Sequence, residues 1–197
     1  MKNKLITFPE NIIFVSSRIA GWEKIFYPSG FDLKKIKKLK DWGNPYAKEI
    51  FLSLKWFRDK KLIKLYNFCL MPHHLHFICK MSGKYNLNKF LKEFHKYTAH
   101  RILDLAEKLE NWELLNHFAK RNNKDDRKHL IWESCVGNVL ETEPDIWRAI
   151  DYIDYNPVAK GWNLVENFAD YPYSSACFYY KGEKPLVEID NLFETED

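Results

Sequence analysis

Hydrophobic residues gather along the chain in short runs that predict strands. Three runs rich in β-branched and aromatic residues, 11–22, 64–72 and 73–81, are each long enough for one strand. A fourth run, HLIWESCVGNVL (129–140), has the same composition. The second and third runs meet around Met71 and Pro72, so the sequence predicts two strands joined by a tight connection.

Between these runs the apolar residues recur at helical spacing. Ile50, Leu54 and Phe57 lie on one side of a helix predicted from Pro45 to about Lys60. A second helix is predicted from about Leu87 to residue 109, where apolar residues again recur three or four positions apart.

The sequence contains signals for both ends of the third predicted helix. Thr142 and Asp145 have the spacing of a capping box, in which each side chain accepts a backbone N–H of the other residue. Pro157 disfavours helical geometry at Asn156, so the helix is expected to end there.

This order of elements predicts an α+β fold: a ferredoxin-like sandwich with a central, largely antiparallel sheet and helices packed on one face. One domain is expected to span residues 1–197. A helical or loop elaboration is predicted around 103–130, with the polar stretch 120–128 as a mobile loop or insertion edge. An acidic tail is predicted at 187–197.

Composition bears on the size of the core and on the cellular compartment. Of 197 residues, 46% are hydrophobic and 16% aromatic, so a sizeable core is available. No apolar run is long enough to cross a bilayer, and the amino-terminal residues lack a continuous apolar signal region. The four cysteines show no CxxC spacing, which favours a reducing cytoplasm and no membrane partner.

The net charge of +4 is modest but unevenly distributed. Five lysines fall within the seven positions from Lys34 to Lys40, and the stretch 84–101 adds five Lys or Arg among aromatic residues. Such segments suit a phosphate backbone and stacked bases. Solvated helix faces have the same composition, so charge alone leaves both interpretations open.

The segment MPHHLHFICK (71–80) contains three of the seven histidines. In a strand, residues two apart point the same way, so His74 and His76 share a face and form half of a metal site. His73 is expected to point away from them as a polar residue at the strand start. A pair of half-exposed histidines without a ligand remains the alternative.

The last predicted helix supplies candidates to complete that site. Tyr152 and Asn156 are four residues apart, so they share a helical face and offer a phenol nucleophile and a neutral oxygen ligand. Tyr155 is the rival nucleophile. The alternative is that both tyrosines only pack, with their hydroxyls in water.

Three motifs, in order, resemble the REP-associated tyrosine transposases, which belong to the HUH-type single-strand DNA transposases. They are MPHHLHFI (71–78), YIDYNPVAKGW (152–162) and YPYSSACFYY (171–180). The resemblance runs from about Ile13 to Tyr180. It departs from the usual family pattern at His73, which replaces Asn, Asp or Glu, and at Glu133, which replaces glutamine.

The resemblance implies a metal-dependent enzyme that cleaves and rejoins single-stranded DNA at hairpins. It implies His74, His76 and Asn156 as ligands of a divalent metal, and Tyr152 as the nucleophile that forms a 5′-phosphotyrosine. The family implies Mg²⁺ or Mn²⁺, whereas two imidazoles alone favour zinc or another transition metal. Glu133 would repel phosphate or contact the metal.

The implied partner is single-stranded or hairpin DNA in a bacterial, nucleoid-associated setting, bound by a monomer or a homodimer, of which the monomer is favoured. From charge and placement, four residues of the second helix are candidate DNA contacts: Lys92, Lys96, His100 and Arg101. Two other functions remain open. One is a hairpin-binding protein of the same descent without transposition activity, and the other is an unrelated metal hydrolase that uses the histidines.

Overall fold

The computed structural model describes residues 11–26, 43–83, 85–120 and 129–193. The lysine run from Lys34 to Lys40 lies outside these ranges, as do residues 121–128 of the predicted mobile loop. The predictions made for those stretches therefore stay predictions.

The four predicted strands form one antiparallel sheet in the order β2-β3-β1-β4. They are β1 (Ile12–Ile19), β2 (Ile63–Met71), β3 (His74–Met81) and β4 (Trp132–Leu140). Strand β3 lies between β1 and β2, so its side chains have neighbours on both sides. The α+β fold class is confirmed.

The three predicted helices begin and end near the predicted positions: α1 (Pro45–Asp59), α2 (Leu87–Lys108) and α4 (Glu143–Tyr155). Two shorter helices accompany them. Helix α3 (Trp112–Lys120) lies in the predicted elaboration, and α5 (Ala176–Lys181) was not predicted. The capping box of Thr142 and Asp145 is present in full at the start of α4. A 3-10 turn, Asn156–Val158, follows α4.

One face of the sheet is covered by α1 and α2 through aromatic packing. The ring of Phe77 on β3 lies 5.9 Å from that of Phe90 on α2. The ring of Phe68 on β2 lies 5.5 Å from that of Phe51 on α1. All four side chains are fully buried, so this face holds much of the hydrophobic core.

The opposite face is covered by α4, which corrects the prediction of helices on one face only. The Asn67 amide on β2 donates a 3.0 Å hydrogen bond to Asp154 on α4, and Tyr152 lies edge-on to Phe14 of β1 at 6.0 Å. Strand β2 is buried at every position except Lys64, and β3 is buried from Leu75 to Cys79, as expected of strands covered on both faces. The sequence of such buried strands does not reveal which helix covers which face of the sheet.

The acidic segment at the carboxyl end is packed against the domain over its described residues. The Asp190 carboxylate accepts the Leu65 backbone N–H at 2.9 Å, and Arg58 forms ion pairs with Glu188 and Asp190. Three apolar side chains from the segment are buried: Val187, Ile189 and Leu192. Residues 187–193 therefore extend the fold rather than trail from it.

The region predicted as an elaboration is helical up to residue 120. It comprises the last turns of α2 and the short helix α3, which buries Leu114, Leu115 and Phe118. Among the helices in the described ranges, none combines the length and apolarity that a bilayer crossing needs.

Candidate active site

The two histidines of the HxH motif lie side by side on the α4 face of the sheet. Their ring centroids are 4.6 Å apart. This follows from strand alternation, since His74 and His76 are two residues apart on β3. The pairing register sets His76 between Ser16 of β1 and Cys69 of β2, in the interior of the sheet.

His76 is buried without a hydrogen bond. It is 4% exposed, and its ring stacks on Phe14 at 5.5 Å. Neither ring nitrogen has a hydrogen-bond partner among the described residues. Buried polar atoms normally have partners, because an unpaired one loses its hydration without compensation. An orphaned imidazole of this kind fits a metal ligand.

Both histidines are held in the neutral form that binds metals. Burial, together with the neighbouring imidazoles of His76 and His73, lowers the pKa of His74 to about 3. Burial also lowers the pKa of His76 to about 4, with His73 adding to the effect. At neutral pH each ring therefore has a lone pair available for coordination.

Helix α4 brings the predicted tyrosine and asparagine to this pair. The Tyr152 ring lies 5.0 Å from the His76 ring, and the residue is 55% exposed. Asn156, one helical turn further on, is buried and forms a side-chain hydrogen bond with His74 that raises the pKa of that histidine. The structure thus gathers His74, His76, Tyr152 and Asn156 in one place.

Tyr155, the rival nucleophile, does not pack against the paired histidines. Tyr155 is exposed to a similar degree, 50%, but its ring packs against Phe168 at 4.3 Å. Phe168 in turn contacts Tyr180 at 4.7 Å. Tyr152 is therefore the tyrosine of α4 that lies against the paired histidines.

His73 does not point away, and that prediction was wrong. Its Nδ1 lies 2.9 Å from Nδ1 of His74, and its ring lies 5.0 Å from the Trp162 ring. His73 belongs to the turn between β2 and β3, where the alternation of a strand does not apply. One nitrogen of His74 is therefore engaged by His73, in the way that neighbouring groups commonly orient metal-binding histidines.

Sequence reasoning missed Arg18. This residue pairs with His74 in the β1–β3 register and lies close enough to lower the pKa of His74 through its charge. Its guanidinium forms a 3.2 Å ion pair with Glu133. The Glu133 carboxylate, which stands where the family usually has glutamine, is therefore paired with Arg18. The alternation of side chains along β1 does not reveal this ion pair.

The predicted DNA contacts on α2 do not join this cluster. Helix α2 packs on the Phe77 face of the sheet, opposite the paired histidines. The half-exposed Arg101 side chain donates to both carboxylate oxygens of the buried Glu49, at 3.0 and 3.3 Å. Exposed side chains four residues apart line the outside of α2: Lys92, Lys96 and His100.

The donor set fits a loosely held divalent ion. Within the described ranges, no group of three or more His, Cys, Asp or Glu is arranged to hold a metal. His74, His76 and Asn156 together supply two imidazoles and one amide oxygen. Such a set leaves coordination positions for water and phosphate, as Mg²⁺ and Mn²⁺ sites commonly require.

Comparisons with known proteins agree with the resemblance predicted from the motifs. Residues 34–121 match the family model described as IS200-like transposase, a stretch that includes His74 and His76 but not Tyr152 or Asn156. A solved REP-associated tyrosine transposase bound to a REP hairpin matches with a TM-score of 0.54 and 16% identity, covering 99% of this chain and 95% of that one. No curated protein matches.

Both the sequence of residues 34–121 and the fold of the chain thus resemble those of transposases. More particularly, the chain resembles the IS200-like transposases in sequence and shares the fold of a REP-associated tyrosine transposase along almost its whole length.

Proposed function

We propose that this protein is a metal-dependent single-strand DNA transposase or nuclease that cleaves and rejoins hairpin DNA through a tyrosine nucleophile. The observation that carries the proposal is the position of Tyr152, an exposed phenol 5.0 Å from a buried, unpartnered imidazole. The solved structure of similar fold is bound to a REP hairpin, which supports hairpin DNA as the substrate.

The proposed reaction is the one that the resemblance to the tyrosine transposases implies. The Tyr152 oxygen attacks the scissile phosphorus, forms a phosphotyrosine ester with the 5′ side of the break and loses its proton. The departing 3′-oxygen takes up a proton and becomes a free hydroxyl. The ester conserves the energy of the broken phosphodiester, so another 3′-hydroxyl can reverse the step and join new ends.

A phenol has a pKa near 10 and is therefore a weak nucleophile at neutral pH. A bound Mg²⁺ or Mn²⁺ would polarise the phosphate and stabilise the charge that develops on it. His74, His76 and Asn156 would hold that ion. His73 would act as a positioning residue, because its contact with Nδ1 of His74 leaves the other ring nitrogen to face the ion.

The experiment is a cleavage assay on end-labelled hairpin DNA with Mn²⁺. Tyr152→Phe is expected to abolish both cleavage and the covalent protein–DNA adduct, since it removes only the nucleophilic oxygen. Tyr155→Phe is the matched control, because it lies on the same helix with similar exposure and is expected to retain both activities.

Two other results would point to the alternative functions. Tight hairpin binding without cleavage under any divalent metal would indicate a DNA-binding protein. Metal-dependent hydrolysis that survives Tyr152→Phe would indicate a hydrolase that uses the histidines with water as the nucleophile. Chelation by EDTA followed by return of Mg²⁺ or Mn²⁺, with Zn²⁺ in a parallel arm, tests the metal assignment.

A further inference from the structure

An aromatic and basic cluster continues from the paired histidines to the surface. We call it the tryptophan shelf, and it consists of Arg18, Trp22, Lys24, His73 and Trp162. The His73 ring lies between two indoles, 4.8 Å from Trp22 and 5.0 Å from Trp162. The Arg18 guanidinium lies 4.2 Å from the centre of the Trp22 ring, and the Lys24 ammonium lies 5.6 Å from that of Trp162.

Trp22 is held in an unusual way for a large apolar residue. It is 56% exposed, so burial does not account for its position. Its backbone has φ of 60°, directly after Gly21 with φ of 67°. Left-handed backbone is strained for bulky residues other than glycine, and such strain is concentrated at functional sites.

The shelf adjoins the proposed catalytic centre. His73 contacts both Trp22 and His74, so the shelf directly adjoins the paired histidines through one of its own members. The ion pair with Glu133 holds Arg18 in place, with its guanidinium over one face of the indole. More than half of the tryptophan surface remains accessible to a ligand.

The chemistry of this surface matches one kind of ligand. Exposed indole rings flanked by fixed cations are the recurring arrangement of single-strand nucleic acid binding, in which bases stack on the rings and cations track the phosphates. An acidic peptide would use the cations but would leave the indole without a planar partner.

We propose that Trp22 is a stacking platform for an unpaired base of the DNA strand that enters the catalytic centre, with Arg18 and Lys24 contacting the neighbouring phosphates. The inference rests on the proposed function for the identity of the strand. It adds a binding position that orients the strand next to Tyr152.

The test measures binding separately from cleavage. Full-length Tyr152→Phe protein is titrated into two labelled probes, an oligothymidylate of about 12 nucleotides and an abasic chain with the same number of phosphates. Trp22→Ala is expected to weaken oligothymidylate binding about tenfold or more and to leave abasic-chain binding unchanged, because only the first probe offers bases to stack. Trp22→Phe restores a ring and is expected to recover most of the loss.

Trp112→Ala is the matched control, since Trp112 is 59% exposed on α3 and takes no part in the shelf. It is expected to bind both probes as the parent does. Equal oligothymidylate binding by Trp22→Ala and the parent would overturn the inference. So would equal weakening for both probes, which would indicate a loss of structure or of charge rather than of stacking.

The two proposals fail in different ways. If the wild-type protein forms the tyrosine adduct but Trp22→Ala binds normally, the stacking platform is wrong and the catalytic proposal stands. If the adduct never forms but base-dependent binding requires Trp22, the platform is supported and the catalytic proposal is overturned.

Discussion

The two faces of strand β3 differ in what their buried residues do for the molecule. Phe77 is buried among the aromatic rings of α2, in contact with Phe90 and Phe94. His76, the preceding residue, is buried to nearly the same degree on the α4 face, with two ring nitrogens that no described residue satisfies. Burial on the first face lowers the free energy of the fold, whereas burial on the second keeps an imidazole neutral and ready to coordinate.

The difference teaches that one strand can serve stability and chemistry at once, because alternation separates the two roles by residue. The first face is a closed core. The second is only partly covered, since α4 ends at Tyr155 and leaves Tyr152 open to solvent. Substitutions at adjacent residues of β3 should therefore have different consequences.

Of the substitutions considered, His76→Ala should have the largest effect, and that effect should be on hairpin cleavage. Removing one of two imidazole ligands should slow Mn²⁺-dependent hairpin cleavage by about 10³-fold or more, since metal stabilisation of the developing charge is worth several kcal/mol. Single-turnover cleavage assays measure the loss. Retention of more than roughly a tenth of the wild-type rate would contradict a ligand role.

Phe77→Ala should produce the reverse pattern. The cavity left among Phe90 and Phe94 should reduce the free energy of unfolding by about 3–5 kcal/mol, measured by urea denaturation. Protein that remains folded should still form the adduct, because no atom of Phe77 reaches the α4 face. A loss below about 1 kcal/mol would show that the first face is not the closed core described.

Asp154→Asn should change how stability depends on pH. Burial raises the pKa of the Asp154 carboxyl more than the Asn67 hydrogen bond lowers it, and with the nearby Asp151 the resulting pKa is about 7. The folded state then keeps a proton that the unfolded state has already lost, so this contribution is present at low pH and is lost as pH rises through about 7. A rise from the ordinary value of 3.8 to about 7 corresponds to up to ~4 kcal/mol.

Asp154→Asn removes this dependence of stability on pH. At pH 8 the variant should be more stable than the wild type, because its neutral amide carries no charge to bury. Urea denaturation of the wild type and the variant at pH 5 and pH 8 measures the difference. Parallel stabilities at both pH values would show that Asp154 is not buried as described.

The smallest effects are expected from the outer surface of α2. If Lys92 and Lys96 contact phosphates of a bound hairpin, as we propose from their charge and exposure, each change to alanine should reduce the salt dependence of hairpin binding by about one unit of log Kd against log salt. Lys108→Ala, in the last turn of the same helix, is the control. An unchanged slope for both variants would confine DNA binding to the α4 face.

Much of the fold was predictable because its signals are local. The period of two along β3 placed His74 and His76 on one face, and the spacing of four along α4 joined Tyr152 to Asn156. The capping box at Thr142 depends on residues three apart, so it too could be found without knowledge of the fold.

The remaining features depend on contacts between distant parts of the chain. Arg18 reaches His74 only through the β1–β3 register, and Arg101 is engaged by Glu49, a residue on another helix. The direction of His73 is set by a turn rather than by a strand, and the backbone of Trp22 is left-handed. Periodicity carries no information about any of these.

The central claim is that Tyr152 is the nucleophile, and its covalent product tests that claim most directly. Wild-type protein is incubated with hairpin DNA and Mn²⁺, digested with nuclease and trypsin, and examined by mass spectrometry. Cleavage after Arg148 and Lys160 releases one peptide with both tyrosines, so fragmentation at a bond between Tyr152 and Tyr155 is needed to separate them. The account predicts a nucleotide on Tyr152, whereas a nucleotide on Tyr155, or cleavage without any adduct, would contradict it.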